Sequence, residues 1–285
     1  MYFNAHAHLN LSQIGSPIIC EDRSFLEWAT QLIIWKQQAA PREEEGIKLG
    51  YSQLGNSDAI IDFAPIGCID KLAEELPNWL PFCAVLGWRA EYAEQAIRQL
   101  SQVKKAAGIA LHAPYSVHPE LIGYAINKKV PISIHLAETL EELELLRCRT
   151  GAMLELHKTR MDRYYNPANI LLGYQPLDYL KLLSVAPRVF IVHGNYLEDN
   201  ELKFLAEHPH MSVVYCPRSH FYFRHKPYPL KKMLDLGVKV LLGTDSLASA
   251  PNLNMADEVA FCIKQHPDVK ADIIHNLATR ENADF

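Results

Sequence analysis

A chain of 285 residues with 49% hydrophobic side chains can build one large α/β domain or two small ones, with a substantial core. Its net charge of −5 argues against a nucleic-acid partner, which demands a basic surface to displace counterions. No apolar run approaches the ~20 residues that cross a bilayer, Met1-Tyr2-Phe3-Asn4 leaves no space for a signal peptide, and the six cysteines lack C-x-x-C spacing. A cytoplasmic protein with reduced thiols and no membrane partner is expected.

The first predicted strand, Tyr2–Ala5, runs into His6 and His8. Side chains two apart on a strand share a face, so both rings can enter one cavity. A long link follows, with Pro41 and the run Glu43-Glu44-Glu45, which is expected to be a solvated face. Trp28 and Trp35 on this link are expected in the core rather than in a substrate lid. The second and third strands are Ala59–Asp62 and Phe82–Val85, and helical spacing of apolar residues predicts a helix over Ala90–Ala107. Gly108–Leu111, the fourth strand, leads into His112-Ala113-Pro114-Tyr115-Ser116. The fifth, Ile132–His135, ends on a histidine, with Glu138 at the head of a helix predicted over Glu138–Thr150. Val189–His193 is the sixth, followed by Gly194 and a helix over Glu198–Glu207. Ser212–Tyr215 and Val238–Leu242 are the last two, with Asp245 just beyond and a final helix over Asn254–Gln265.

Strands alternating with helices indicate βα units on a parallel sheet, and eight of them closing on themselves give a (β/α)8 TIM barrel. No repeat or linker interrupts the pattern, so residues 1–285 are expected to form a single domain. His6, His8, His135, His193 and Asp245 all fall near the C-terminal ends of strands, where such barrels keep their chemistry. Imidazole nitrogens with one carboxylate are the ligand types of a catalytic zinc or a similar divalent ion. A single His-x-His carries little weight, since 13 histidines in 285 residues give about 0.6 such pairs by chance. A second pair, His208-Pro209-His210, precedes the seventh strand at the opposite end of the barrel and is expected to be a solvated loop. Asp245, beyond an apolar run, has to be solvated, paired or metal-bound. Glu138 offers the carboxylate that metal-assisted hydrolysis needs to carry protons between water and leaving group.

Taken in order, Asn4-Ala5-His6-Ala7-His8-Leu9, His112-Ala113-Pro114-Tyr115-Ser116, His135-Leu136-Ala137-Glu138, Val192-His193-Gly194, Cys216-Pro217-Arg218-Ser219 and Leu242-Gly243-Thr244-Asp245-Ser246 span nearly the whole chain. With these blocks the sequence resembles the amidohydrolase superfamily, in its mononuclear metal-dependent deaminase branch. The His-Ala-Pro-Tyr block is shared with methylthioadenosine and adenosylhomocysteine deaminases. The Cys-Pro-Arg-Ser block and Ser246-Leu247-Ala248-Ser249 are most similar to the aminodeoxyfutalosine deaminases of menaquinone biosynthesis. The resemblance implies a hydrolase of carbon–nitrogen bonds that releases ammonia from a small aminated purine nucleoside. It implies one divalent ion, zinc in the first place, with iron or manganese as alternatives, because the modified lysine that bridges two metals in dinuclear relatives is absent.

By position, the resemblance implies His6, His8, His135 and Asp245 as metal ligands and Glu138 as proton shuttle. Asp245 also accepts the water proton, and His193 orients the water or polarises the reacting centre. His112, Tyr115, Ser116 and Arg218 are implied near the substrate. His118 and His220 stand where Ser and Asn are common in the family. The flanking β-sandwich usual in the family finds no counterpart, and an uncovered barrel rim favours a homo-oligomer. Guanine, cytosine or triazine hydrolases, and a catalytically silent nucleoside-binding barrel, remain as alternatives.

Overall fold

Eight parallel strands pair in chain order in the computed structural model, which describes residues 2–22, 24–55, 57–169 and 175–283. They are β1 (Tyr2–Ala7), β2 (Ser57–Pro65), β3 (Trp79–Val85), β4 (Gly108–Leu111), β5 (Ile132–Leu136), β6 (Val189–His193), β7 (Met211–Tyr215) and β8 (Val240–Leu242). The ring closes where Ala7 bridges Asp245, and the Thr244 and Asp245 amides both donate to the His6 carbonyl, at 3.1 and 3.2 Å. The result is a (β/α)8 barrel. Every predicted strand lies within or overlaps an observed one.

Two apolar layers follow from the period-two alternation of strand side chains. Phe3, Ala5, Ile61, Phe63, Phe82, Phe190, Val192 and Leu241 fill the barrel interior. Their neighbours Ile60, Val85, Leu111, Ile134, Ile191 and Leu242 face outward into the shell of helices. Full burial of each Val, Leu, Ile or Phe in these layers contributes roughly 1.5–3 kcal/mol, so the barrel is a packed core rather than a pore.

The helices deviate from the sequence expectation at their ends. The one beginning at Ala90 stops at Leu100, because the amides of Lys104 and Lys105 are taken by the Asp70 carboxylate. The helix after β5 begins at Leu140 rather than at Glu138. Thr139 caps it by accepting from the Glu142 amide, while the Glu142 carboxylate accepts from the Ala137 and Glu138 amides. Glu138 is thereby left on the turn, outside the helix.

The long first connection holds two helices, Phe25–Ala39 and Glu43–Ser52. Glu43, Glu44 and Glu45 form the first turn of the second, where negative charge complements the helix dipole. Trp28 and Trp35 are not in the core, as expected from sequence, but half-buried on a helix with no fully buried residue. The Trp28 indole donates to the Ala248 carbonyl just beyond β8, 2.8 Å away. His208 and His210 sit before β7, away from the other histidines, but are half-buried rather than solvated: their rings bond to the Phe204 and Ser184 carbonyls.

Candidate metal centre

Three of the strand ends that carry candidate residues share a local device. Ala137, His193 and Asp245 have φ of +53°, +67° and +60°. L-residues enter this left-handed region at a cost, and it persists where surrounding structure over-determines it. Here the turn swings the side chain that follows or carries it back over the mouth of the barrel. The His193 carbonyl is fixed by the Tyr228 hydroxyl at 2.9 Å, and Asp245 by the closure against β1.

The polar ends converge. His135 Nε2 lies 3.3 Å from both His6 Nε2 and His8 Nε2, and Asp245 Oδ1 lies 3.8 Å from each of the latter two. His193 joins His6 and His135 in a second group whose ligand atoms lie within 4.8 Å of one another. Four donors arranged tetrahedrally at the usual 2.0–2.1 Å from a zinc ion stand roughly 3.4 Å apart, so the observed spacing fits a divalent cation. The chemistry of the donors fits as well. His135 Nδ1 donates to the His112 carbonyl at 2.7 Å, which leaves its Nε2 lone pair aimed at the other rings. Burial, then mutual repulsion among the rings, holds His6, His8 and His193 well below their ordinary pKa, and burial lowers His135 to about 4. All four are neutral at pH 7, the form that ligates metal. Asp245 is aligned by Ser219 and Ser249, whose hydroxyls donate to Oδ2 at 2.6 and 2.8 Å and leave Oδ1 facing the imidazoles.

Glu138 is buried beside this cluster, with Oε1 3.4 Å from His193 Nε2. Burial first, then the nearby Asp245 and Glu142 carboxyls, pushes its pKa well above the usual range. Asn195 donates to its carbonyl at 3.0 Å and holds the turn. On the β4 side, the His112 ring stands 5.4 Å from that of His135, and its Nδ1 is 2.7 Å from Ser116 Oγ. Tyr115 lies 6.0 Å from His112, ring to ring.

Arg218 is placed differently from the sequence expectation. Its guanidinium is buried and engaged by the Glu258 carboxylate, Asn252 Oδ1 at 2.8 Å and the Asn252 carbonyl at 2.9 Å. Those bonds tie the turn after β7 to the segment after β8, so Arg218 supports the neighbouring Ser219. Sequence reasoning named the Ser219 and Ser249 blocks without giving either hydroxyl a role. A Ser four residues beyond the candidate Asp was the available signal. It also missed His157, whose ring is 5.3 Å from Tyr115 and stacks on Tyr165 at 4.6 Å. No spacing rule links position 157 to 112 or 115.

Residues 86–285 match the Amidohydrolase family. The chain is 28% identical over 278 residues to a 5-methylthioadenosine/S-adenosylhomocysteine deaminase of Pyrococcus furiosus, covering 90% of this chain and 60% of that protein. It is 25% identical to an aminodeoxyfutalosine deaminase of Deinococcus radiodurans, covering 97% of this chain and 70% of the relative. The chain thus spans about 60–70% of the length of these relatives. Among solved structures, it superposes on a Helicobacter pylori aminofutalosine deaminase in complex with methylthio-coformycin at a TM-score of 0.82, with 21% identity, over 99% of this chain and 72% of the other. A Xanthomonas campestris adenosine deaminase with bound zinc superposes at a TM-score of 0.68, with 18% identity, over 99% and 63%.

Proposed function

This chain belongs to the amidohydrolase family, and from that premise we propose that it is a metal-dependent hydrolytic deaminase of 6-aminopurine nucleosides. The observation that carries the proposal is the convergence of three neutral imidazoles and the Asp245 carboxylate beside a buried Glu138, whose pKa burial pushes up. His6, His8, His135 and Asp245 would hold one divalent ion, which supplies a Lewis-acid centre and lowers the pKa of a water toward ~7. Zinc suits the ligand set; iron and manganese are accepted by the same donors.

Glu138 donates its proton to the ring nitrogen next to the amino-bearing carbon, which makes that carbon electrophilic. Asp245 Oδ1 takes a proton from the attacking water while its other oxygen stays fixed by two serines. His193, in reach of Glu138, orients the water. The proton held by Asp245 then passes to the departing nitrogen, ammonia leaves as the new C6 hydroxyl becomes C=O, and the proton of that hydroxyl goes to Glu138, so that both carboxyls end as they began. The balance is aminopurine plus water giving the 6-oxopurine plus ammonia. His112, with Tyr115 and Ser116 against it, would contact the sugar.

Within that class the proposed substrate is aminodeoxyfutalosine, which would put the reaction in menaquinone biosynthesis. The likeness to the Deinococcus and Helicobacter proteins supports this choice. The test is ammonia release from the metal-loaded protein offered aminodeoxyfutalosine, 5′-methylthioadenosine, S-adenosylhomocysteine and 5′-deoxyadenosine. The first is expected to give the highest kcat/KM. Glu138→Gln is expected to bind metal normally and lose turnover by at least about 100-fold. Full turnover in that variant refutes the role of Glu138, and ammonia from none of the four substrates refutes the function.

A further inference from the structure

Between the end of β5 at Leu136 and the helix Leu140–Cys148 the chain turns through Ala137, Glu138 and Thr139. The peptide groups of this turn are held from outside it. On the carbonyl side, the exit of β6 supplies the donors. The Gly194 amide donates to the Leu136 carbonyl at 3.1 Å and the Tyr196 amide to the Ala137 carbonyl at 3.0 Å. The Asn195 side-chain amide donates to the Glu138 carbonyl at 3.0 Å. On the amide side, one carboxylate accepts. Glu142 takes the Ala137 and Glu138 amides at 3.1 and 2.8 Å, and the Thr139 amide draws on the same group.

We propose that Glu142 and Asn195 are positioning residues for the deamination: together they fix the peptide groups on both sides of Glu138 and so set where its carboxyl stands against His193. This rests on the reading of Glu138 as proton shuttle and goes beyond it by naming the side chains that aim it.

Thr139-Leu140-Glu141-Glu142 has the T-x-x-E spacing of a capping box, in which the glutamate reaches back only to the amide of the capping residue. Glu142 reaches two residues further. The left-handed Ala137, with φ of +53°, bends the turn so that successive amides share one concavity, an arrangement that suits an anion. Glu142 is also 1% exposed, and burial pushes its carboxyl up to about 7 while the three amides pull the other way. An exposed glutamate would cap the helix without that desolvation cost. What burial adds is a rigid acceptor beneath the Glu138 backbone.

Asn195 is equally committed. It is 9% exposed, and its Oδ1 has no hydrogen-bond partner among the described residues. The bond to the Glu138 carbonyl is thus the one its side chain makes among them. It follows His193 by two residues, so the segment that grips the turn also carries the ring whose Nε2 stands 3.4 Å from Glu138 Oε1. Any tilt of the Glu138 backbone is carried out along a flexible side chain to the carboxyl. A misplacement of about 1 Å at a reacting group costs up to about 100-fold in rate.

The test uses metal-loaded Glu142→Gln, Glu142→Ala and Asn195→Ala, each alone and combined with Glu138→Gln. Ammonia release is followed with whichever of the four nucleosides above the wild type turns over fastest. Glu142→Gln, which keeps one acceptor, and Asn195→Ala are each expected to lower kcat about tenfold, and Glu142→Ala about 100-fold. KM, and metal Kd from chelator competition, are expected to stay within about twofold of wild type. In the Glu138→Gln background none should lower kcat by more than about twofold further, because the anchors act through that carboxyl. Amide hydrogen exchange at Ala137 and Glu138 is expected to quicken at least about tenfold in Glu142→Gln. Should the Glu142 variants fail to fold, Asn195→Ala decides.

A kcat within about twofold of wild type in folded Glu142→Gln and Asn195→Ala overturns the positioning roles and leaves Glu138 as shuttle. So does a loss confined to thermal stability or metal Kd, or one of equal size with and without Glu138→Gln. Full turnover in Glu138→Gln alone, or ammonia from none of the four nucleosides with wild type, removes the shuttle reading and the positioning roles with it.

Discussion

Replacing Glu258 by Gln would strip a buried guanidinium of its counter-charge. Glu258 is fully buried, Arg218 is 7% exposed, and the carboxylate accepts from both the Arg218 side chain and its backbone amide, the latter at 2.7 Å. Removing one partner of such a pair costs about 3–5 kcal/mol, because the remaining ion stays out of water uncompensated. Burial pushes the Glu258 carboxyl up to about 7 against the pull of Arg218. The measurement therefore belongs at about pH 8, where the pair is ionised. Urea denaturation of wild type, Glu258→Gln, Arg218→Met and the double variant gives the coupling. Glu258→Gln is expected to lose about 3–5 kcal/mol, and the double variant to recover part of it, since it leaves no bare charge. Activity should fall with stability, because the same turn presents Ser219 to Asp245. The reasoning is refuted if Glu258→Gln stays within about 1 kcal/mol of wild type. It is equally refuted if Arg218→Met raises KM without touching stability, which would return Arg218 to the substrate contacts implied by the sequence.

Three further outcomes are expected. Ser219→Ala combined with Ser249→Ala frees Asp245 Oδ2 from both its donors; metal affinity should drop about 10- to 100-fold in a chelator competition, while the protein stays folded. Gly243→Ala would set a methyl group 3.0 Å from the His6 Cβ and backbone at the seam of the barrel; a loss of about 1–3 kcal/mol in thermal or urea unfolding, with weakened metal binding, is expected. Burial lowers the His220 pKa from 6.5 to about 3. Its stabilising contribution is therefore full above pH 6.5 and lost as pH falls toward 3. Between about pH 7.5 and about pH 5.5 wild type should lose about 1.4 kcal/mol more than His220→Asn. Parallel stability curves for the two proteins would contradict this.

Much of the site was legible because a strand presents its side chains in a fixed register. Two histidines separated by one residue at the end of β1 had to share a face, and histidines closing β5 and β6 had to emerge at the same rim. The strands themselves were legible as short apolar runs. Less visible were the features set by contacts between distant segments. The Ala90 helix stops at Leu100 because Asp70, 34 residues before Lys104, captures amides beyond its end. Trp28 and Trp35 read as core by their apolarity, yet no residue of the helix that carries them is fully buried, and both stay half-exposed.

From its own residues the chain determines which side chains can reach the mouth, since strand period and strand order are local properties of the sequence. Tertiary structure decided how those side chains are aimed and what state they hold. The left-handed turns at 137, 193 and 245, the two serines on Asp245 and the clamp around Arg218 all depend on partners far along the chain. So does the upward push on the Glu138 pKa, which comes from burial first and then from the nearby Asp245 and Glu142. A pKa is set by the whole dielectric and charge environment of a group, and no window of sequence contains that environment.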